Sequence, residues 1–206
     1  MEQPVTVAII EDHPVVTEGV ASWIRSDPGQ RVRLVQTARD LTGLPAMPRP
    51  PADVVILDLE LSGELVTTQI PGLVAAGNRV VAFSGHSDPA IVMETLDNGA
   101  HAYVSKEEGS DHLVEAVLAA ATELLWFQGM SKASVGRRMS ISENTVRQYI
   151  SRARAKYAAS GRTAPSKDAL LARAIEDGVI KPGEIMPYTS FARAAANRPS
   201  LGAPGQ

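Results

Sequence analysis

The chain predicts a doubly wound, five-stranded parallel α/β sheet followed by a small all-α module, and three features of its 206 residues predict it. Short apolar strands alternate with helical patterns through residues 1–122, the signature of a parallel sheet covered by helices on both faces. Formal charge then reverses: residues 1–128 hold 7 Lys/Arg against 18 Asp/Glu, a net of −11, whereas residues 129–181 hold 11 against 4, a net of +7. Beyond the reversal the patterns are helical only. With 44% hydrophobic and 21% charged residues, the composition is that of a globular chain with room for two small domains. There is no Cys, which excludes disulfide frameworks and thiolate metal sites. No apolar run reaches the ~18 residues of a membrane span. "MEQPVTVAII" lacks the basic and then apolar pattern of a signal peptide. A cytoplasmic location without a membrane partner is the expectation.

Strands are expected at "VTVAII" (5–10), "VRLVQT" (32–37), "DVVILD" (53–58), "RVVAFS" (79–84) and "HAYVS" (101–105). After the first, "PVVTEGVASWIRS" places Val15, Gly19 and Ile24 on one helical face. The second crossover, "ARDLTGLPAMPRPPA", carries four prolines and has room for little helix. The third, "SGELVTTQIPGLVAAG", is short and interrupted by Pro71. "DPAIVMETLDNG" starts at an Asp cap and stops at Gly99, and "SDHLVEAVLAAA" is apolar at 113, 117, 120 and 121. In the basic half, Ser131 to Met139 forms a short helix and "SIS" a tight turn. Ser142 then caps a longer helix from Glu143 to about Ala158. That is helix-turn-helix spacing. Val146, Ile150, Ala153 and Tyr157 make its buried stripe, leaving Asn144, Thr145, Arg147, Gln148, Ser151, Arg152, Arg154 and Lys156 toward solvent or, given the charge, toward DNA. Asn, Gln and Arg read major-groove edges, while Arg, Lys, Ser and Thr fix register on phosphates.

Ligands of such sheets bind at the carboxyl ends of the strands. Collected there are Glu11 and Asp12 after the first strand, Asp58 at the end of the third, Ser84 at the end of the fourth and Lys106 after the fifth. Any one of them is an ordinary strand-to-loop polar residue; the set is not. Three carboxylates so close do not all stay ionised without a cation, and hard oxygens suit Mg²⁺. With the metal on Asp12 and Asp58, and Glu11 as an optional water-bridged partner, one Asp58 oxygen is left to attack a phosphoryl group. Lys106 would neutralise the added charge and the Ser84 hydroxyl would donate to a phosphoryl oxygen.

In order and at these spacings, "IIEDHPVVTEGV", "VVILDLEL", "VAFSGH" and "AYVSK" resemble the receiver domain of a two-component response regulator, a flavodoxin-like fold. The resemblance implies Glu11 and Asp12 as the acidic metal pair and Asp58 as the phosphoacceptor. It further implies Ser84 as the switch hydroxyl, Lys106 as the signalling lysine, Tyr103 as the switch aromatic and the Glu60 backbone carbonyl as a metal ligand. The chain departs from the pattern in three places: "KEEG" stands where proline commonly follows the lysine, Glu60 adds an anion beside the acceptor, and the third crossover is irregular. "MSKASVGRRMSISENTVRQYISRARAKY" resembles the LuxR/NarL-type DNA-binding domain over residues 124–180. That adds Ser131, Lys132 and Ser142 to the DNA-facing set and "SKDALLARAIEDGVI" as the closing helix, apolar at Leu170, Leu171, Ala174 and Ile175. The implied function is a transcription factor, not an enzyme beyond its own phosphoryl transfer, that a sensor histidine kinase phosphorylates at Asp58 and that dimerises on double-stranded DNA. One alternative is a phosphorylation-independent regulator using the receiver for dimerisation or ligand sensing. Another is a phosphatase of the haloacid dehalogenase type, which wants Asp where Glu60 stands.

The domains expected are 1–122, a receiver, 123–181, a helix-turn-helix unit, and 182–206, a disordered tail. Their junction is unusual. "LVEAVLAAATELLWFQGM" runs in continuous helical register from the last receiver helix into the basic half, with no polar linker and with only "ELLWFQ" for a first helix. Measured against a usual ~11-residue helix plus linker, on the order of twenty residues are missing. Either such a segment is absent from the chain, the reading preferred on sequence, or the two halves are fused and rigidly coupled.

Overall fold

A computed structural model describes residues 4–43 and 52–176. The elements run β1 (Val5–Ile10), α1 (Pro14–Ser26), β2 (Val32–Ala38), β3 (Val54–Leu57), a hairpin of β4 (Glu60–Leu61) and β5 (Glu64–Leu65), α2 (Ile70–Ala75), β6 (Val80–Ser84), α3 (Pro89–Asp97) and β7 (Ala102–Ser105). Four helices follow: α4 (Ser110–Phe127), α5 (Lys132–Met139), α6 (Glu143–Ala159) and α7 (Lys167–Glu176). The main sheet has the order β2-β1-β3-β6-β7, with every pair parallel. Every residue of β3 and β6 is buried, as strands covered on both faces require. Alternate residues feed two cores. Val7, Ile9, Ile56, Val81 and Phe83 pack toward α1 and α4, whereas Ala8, Ile10, Val55, Leu57 and Ala82 pack toward α2 and α3.

All five strands lie within one residue of their expected bounds. Asp88 caps α3, its Oδ1 accepting from Ala90 N at 2.8 Å, and Gly99 ends it at φ +97°. Val15 differs: it is 84% exposed, and the face α1 buries is Val20, Ala21 and Ile24. Pro14 and Val15 belong to the exposed first turn of the helix. The third crossover is no plain loop. Ser62 (φ 55°) and Gly63 (φ 80°) both adopt the left-handed conformation, so "ELSGEL" closes on itself as the β4–β5 hairpin. Pro71 then opens α2 rather than interrupting it, since its missing N–H falls among the unpaired donors of a first turn. The second crossover holds one 3₁₀ turn at Leu41–Gly43, and its proline-rich remainder lies outside the described residues, as does the expected tail.

At the junction the 206-residue chain is continuous helix. α4 is a single helix of 18 residues crossing the expected 122/123 boundary without a break. Leu113, Val117, Leu118 and Ala121 pack on the sheet; Leu125, Trp126 and Phe127, on the same helix, pack on α5, α6 and α7. The segment "ELLWFQ", expected as part of a separate first helix of the C-terminal module, is here the last stretch of the helix that covers the sheet. One hydrophobic core therefore extends from Val5 to Ala174.

Candidate functional site

The carboxyl ends of β1, β3, β6 and β7 bring Glu11, Asp12, Asp58, Ser84 and Lys106 to one rim. Glu11 and Asp58 are 4% and 3% exposed and Ser84 is fully buried. Lys106 Nζ donates to Glu11 Oε2 and to Asp58 Oδ2, each at 2.8 Å, so one cation joins two buried carboxylates. Burial, and next the charge of Glu11, raise the Asp58 pKa against the pull of Lys106. For Lys106 burial opposes the charge, yet the hydrogen bonds to Asp58 and Glu11 carry its pKa above the usual lysine value.

Asp12 is held by the hairpin: Ser62 N donates to its Oδ2 at 2.8 Å, the largest cause of its lowered pKa. Its other oxygen, Oδ1, is buried and accepts no hydrogen bond. His13 Nδ1 lies 2.9 Å from it, an ion contact without hydrogen-bond geometry. Glu11, Asp12, His13 and Asp58 each present a donor atom within 4.8 Å of the others. Hard carboxylate oxygens, one of them unsatisfied, fit a small divalent cation.

Two histidines that sequence reasoning missed complete the rim. His13 Nδ1 lies 3.0 Å from Glu11 Oε1, and that bond first, then the charge of Asp12, raises its pKa. His86 donates its backbone N–H to Ser84 Oγ at 3.3 Å, while its Nε2 lies 3.0 Å from Glu60 Oε2. The Glu60 side chain is thereby drawn to His86, and Glu60 N donates to Asp58 Oδ1 at 3.3 Å. The Tyr103 hydroxyl donates to the His86 carbonyl, which ties β7 to the loop after β6. "EDH" and "SGH" stand at strand ends in the sequence, and that position is the signal that would have singled out both histidines.

The second set of residues lies on α5 and α6. Ser131 and Ser142 are helix caps, their Oγ atoms accepting from Ser134 N at 3.1 Å and Thr145 N at 3.0 Å. Asn144, Arg147, Gln148, Ser151 and Arg152 are exposed along one side of α6, whereas Lys132 and Thr145 are half-buried. Arg147 pairs with Glu143 at 2.6 Å. The stripe that α6 buries is Val146, Tyr149, Ile150 and Ala153, with Tyr157 only half-buried. Two more of the expected DNA-facing cations, half-buried Arg154 and exposed Lys156, also make contacts within the chain. Arg154 stacks 5.9 Å from the Trp126 ring, and Lys156 donates to the carbonyl of His101 at 2.6 Å. Arg154 and Lys156 flank the buried stripe of α6.

Residues 7–118 match the family described as the response regulator receiver domain. The transcriptional regulatory protein UhpA of Salmonella typhimurium is 31% identical over 121 residues, 57% of this chain and 59% of that one, so the matched stretch falls short of two thirds of that relative. The nitrate/nitrite response regulator protein NarL of Escherichia coli is 26% identical over 159 residues, 74% and 73% of the two chains. Among solved structures, the signal receiver domain of a NarL response regulator from Mycobacterium tuberculosis aligns with 28% identity and a TM-score of 0.52, over 58% of this chain and 97% of that one. Among the described residues no helix is long and apolar enough to cross a membrane.

Proposed function

The chain belongs to the response regulator receiver family, and from that premise we propose that it is a cytoplasmic transcription regulator switched by a phosphoryl group on Asp58. The observation that carries this reading is the Lys106 ammonium bridging Glu11 and Asp58 beside the buried Ser84 hydroxyl. Glu11, Asp12, Asp58 and the Glu60 carbonyl would hold Mg²⁺, which when bound supplies charge neutralisation at the phosphoryl oxygens. An Asp58 carboxylate oxygen attacks the phosphorus of a kinase phosphohistidine; the P–N bond breaks, an acyl phosphate forms and the imidazole takes up a proton. Lys106 then exchanges Asp58 for a phosphoryl oxygen, and the Ser84 hydroxyl donates to another.

Both residues sit where such a move is felt. Lys106 follows β7, and Ser84 accepts from His86, whose carbonyl holds Tyr103. Ser84, Tyr103 and Lys106 thus form the switch. Moving a two-state equilibrium from 1:99 to 99:1 takes ~5.5 kcal/mol, whereas charge-assisted bonds supply ~1.5 to 3 kcal/mol each, so two or three new bonds suffice only if none is lost elsewhere. Output is by DNA. Asn144, Arg147, Gln148, Ser151 and Arg152 read base edges and phosphates, Ser131, Ser142, Lys132 and Thr145 fix the helix ends against the backbone, and a homodimer places two reading helices on successive half-sites.

The test is duplex binding and oligomeric state, with Mg²⁺ and beryllofluoride present or absent, on the wild type and on Asp58→Asn. Tighter binding and dimers only with beryllofluoride and an intact Asp58 support the switch. Equal binding in all four samples assigns the protein to phosphorylation-independent regulation instead.

A further inference from the structure

A second series of side chains, remote from Asp58, joins the receiver half to the helix proposed to read DNA. Tyr149, in the middle of α6, is 2% exposed, a costly place for a phenol without a partner. Its hydroxyl donates to Glu115 Oε2 on α4. The other oxygen of Glu115 lies 3.8 Å from Arg31 Nη1, and Arg31 in turn grips Asp27, the residue after α1, with Nη2 at 2.6 Å and Nε at 3.2 Å. Burial first, then Glu115, push the phenol pKa up, so the hydroxyl stays a donor.

The ring of Tyr149 also carries the Arg152 guanidinium, 5.9 Å from its centroid and within cation–π reach. Arg152 is on the exposed side of α6. Seven residues after Tyr149, and so on the same face of the helix, Lys156 reaches the receiver through its bond to the His101 carbonyl. An independently folded output domain has no need of either bond.

We propose that Glu115 and Tyr149 form a tether that fixes α6 on the receiver and holds Arg152 in its reading posture, which makes both of them positioning residues for DNA recognition. The proposal rests on the reading of α6 given above. Any displacement of α4, or of the α1 end through Arg31, is delivered to α6 at the Glu115 carboxylate, and α4 offers no hinge to absorb it.

Because the chain has no Cys, one introduced pair of thiols carries spin labels: Val35→Cys on β2 and Ala158→Cys near the end of α6, both exposed. Pulsed electron resonance on the full chain then gives the distance distribution between the two halves. Fluorescence anisotropy gives affinity for a duplex that the wild type selects from a randomised pool, and for its scrambled counterpart. The expected wild-type distribution is narrow. Tyr149→Phe and Glu115→Ala broaden it, and Glu115→Gln, whose amide oxygen still accepts, restores it. In the broadened variants affinity for the selected duplex falls about tenfold, ~1.4 kcal/mol, while affinity for the scrambled one, held by phosphate contacts, stays within about twofold. A packing role alone would lower the thermal midpoint and both affinities together, and that outcome overturns the proposal. So does an unchanged distribution with unchanged selectivity in Tyr149→Phe. A wild type that selects no duplex overturns the DNA reading and the role of Arg152, and the distance distribution then decides the tether by itself.

Discussion

Lys106 is the only cation within hydrogen-bonding distance of Asp58 among the described residues, and its neighbours make its removal informative. Two carboxylates that are 4% and 3% exposed would face each other without compensation, the situation in which breaking a buried pair costs ~3 to 5 kcal/mol. Lys106 is itself 23% exposed at its side chain, so the lower end applies. Lys106→Ala is expected to lose about 3 kcal/mol of stability at pH 7 in chelator and to recover much of it in millimolar Mg²⁺, as denaturant midpoints would measure. Recovery with Asp58→Asn in the same background, without Mg²⁺, separates charge repulsion from lost packing. The five rim residues were legible in the sequence because parallel strands deliver their ends to one edge, whatever the helices between them do. His13 and His86 were not, since a histidine's role depends on which carboxylate a loop brings to it, and Glu60 reaches His86 across 26 residues. Tyr149 and Tyr157 differ for the same reason: both positions fit a helical stripe, and only the course of α4 beneath α6 decides that Tyr149 is the one buried.

At the level of elements, α4 carries a buried acid through the junction. Glu123 is 8% exposed and lies 3.5 Å from His101 Nε2, with Arg79 and Lys156 as the other charged neighbours. Burial raises the Glu123 pKa from 4.5 to about 7, against the pull of Arg79 and Lys156. Burial likewise holds the His101 pKa well below its usual 6.5, aided by Lys156 and Arg79. A carboxyl with a raised folded pKa stabilises fully below 4.5 and loses that contribution as pH climbs to about 7. The histidine works the other way, its contribution being complete above 6.5 and lost on acidification. Below pH 6.5, where both groups titrate, the two slopes oppose each other in the wild type. Glu123→Gln is expected to unmask His101, so that stability rises with pH through that window, and to exceed the wild type at pH 8 by about 3 kcal/mol at ~1.36 kcal/mol per pK unit. Urea unfolding at pH 4.5, 6.5 and 8 measures both effects. The turn before α6 makes a second case. At Gly136 a Cβ would stand 2.8 Å from the Ile141 carbonyl oxygen, whereas at Gly19 in α1 it would meet nothing within 4 Å. Gly136→Ala should therefore cost about 1 to 3 kcal/mol and Gly19→Ala should gain about 0.5 to 1 kcal/mol, opposite signs for one substitution in two helices. Periodicity and caps made α3, α5 and α6 legible, but the β4–β5 hairpin was not: it depends on Ser62, an unremarkable loop residue, taking φ 55° while its N–H finds Asp12.

For the molecule as a whole, the shared α4 sets the scale of cooperativity. A flexible linker would let a sheet domain and a helical domain unfold separately. Here Leu125, Trp126 and Phe127 are 4%, 4% and 1% exposed on the same helix whose Leu113, Val117 and Leu118 pack on the sheet, and one core spans both halves. Each fully buried side chain of that size contributes roughly 1.5 to 3 kcal/mol, so the three C-terminal ones alone rival the net stability of a small domain. Neither half can lose its part of α4 without exposing surface that the other half covers. The two tryptophans report on the two halves separately: Trp23 meets the Phe83 ring edge-on at 6.1 Å in the sheet core, and Trp126 lies under Lys167 of α7, whose ammonium is 4.9 Å from its centroid. Fluorescence of Trp23→Phe and of Trp126→Phe, each reporting on the tryptophan that remains, is expected to give urea transitions with a common slope once the midpoints are corrected for each substitution. Because the slope scales with the surface exposed, both probes should yield the value for the whole described fold rather than for half of it. Two transitions, each with about half the slope, would show that the continuous helix joins two domains that still unfold separately. A common transition would mean that the phosphorylation proposed at the rim acts on a single body, in which the helix proposed to read DNA has no position independent of the sheet.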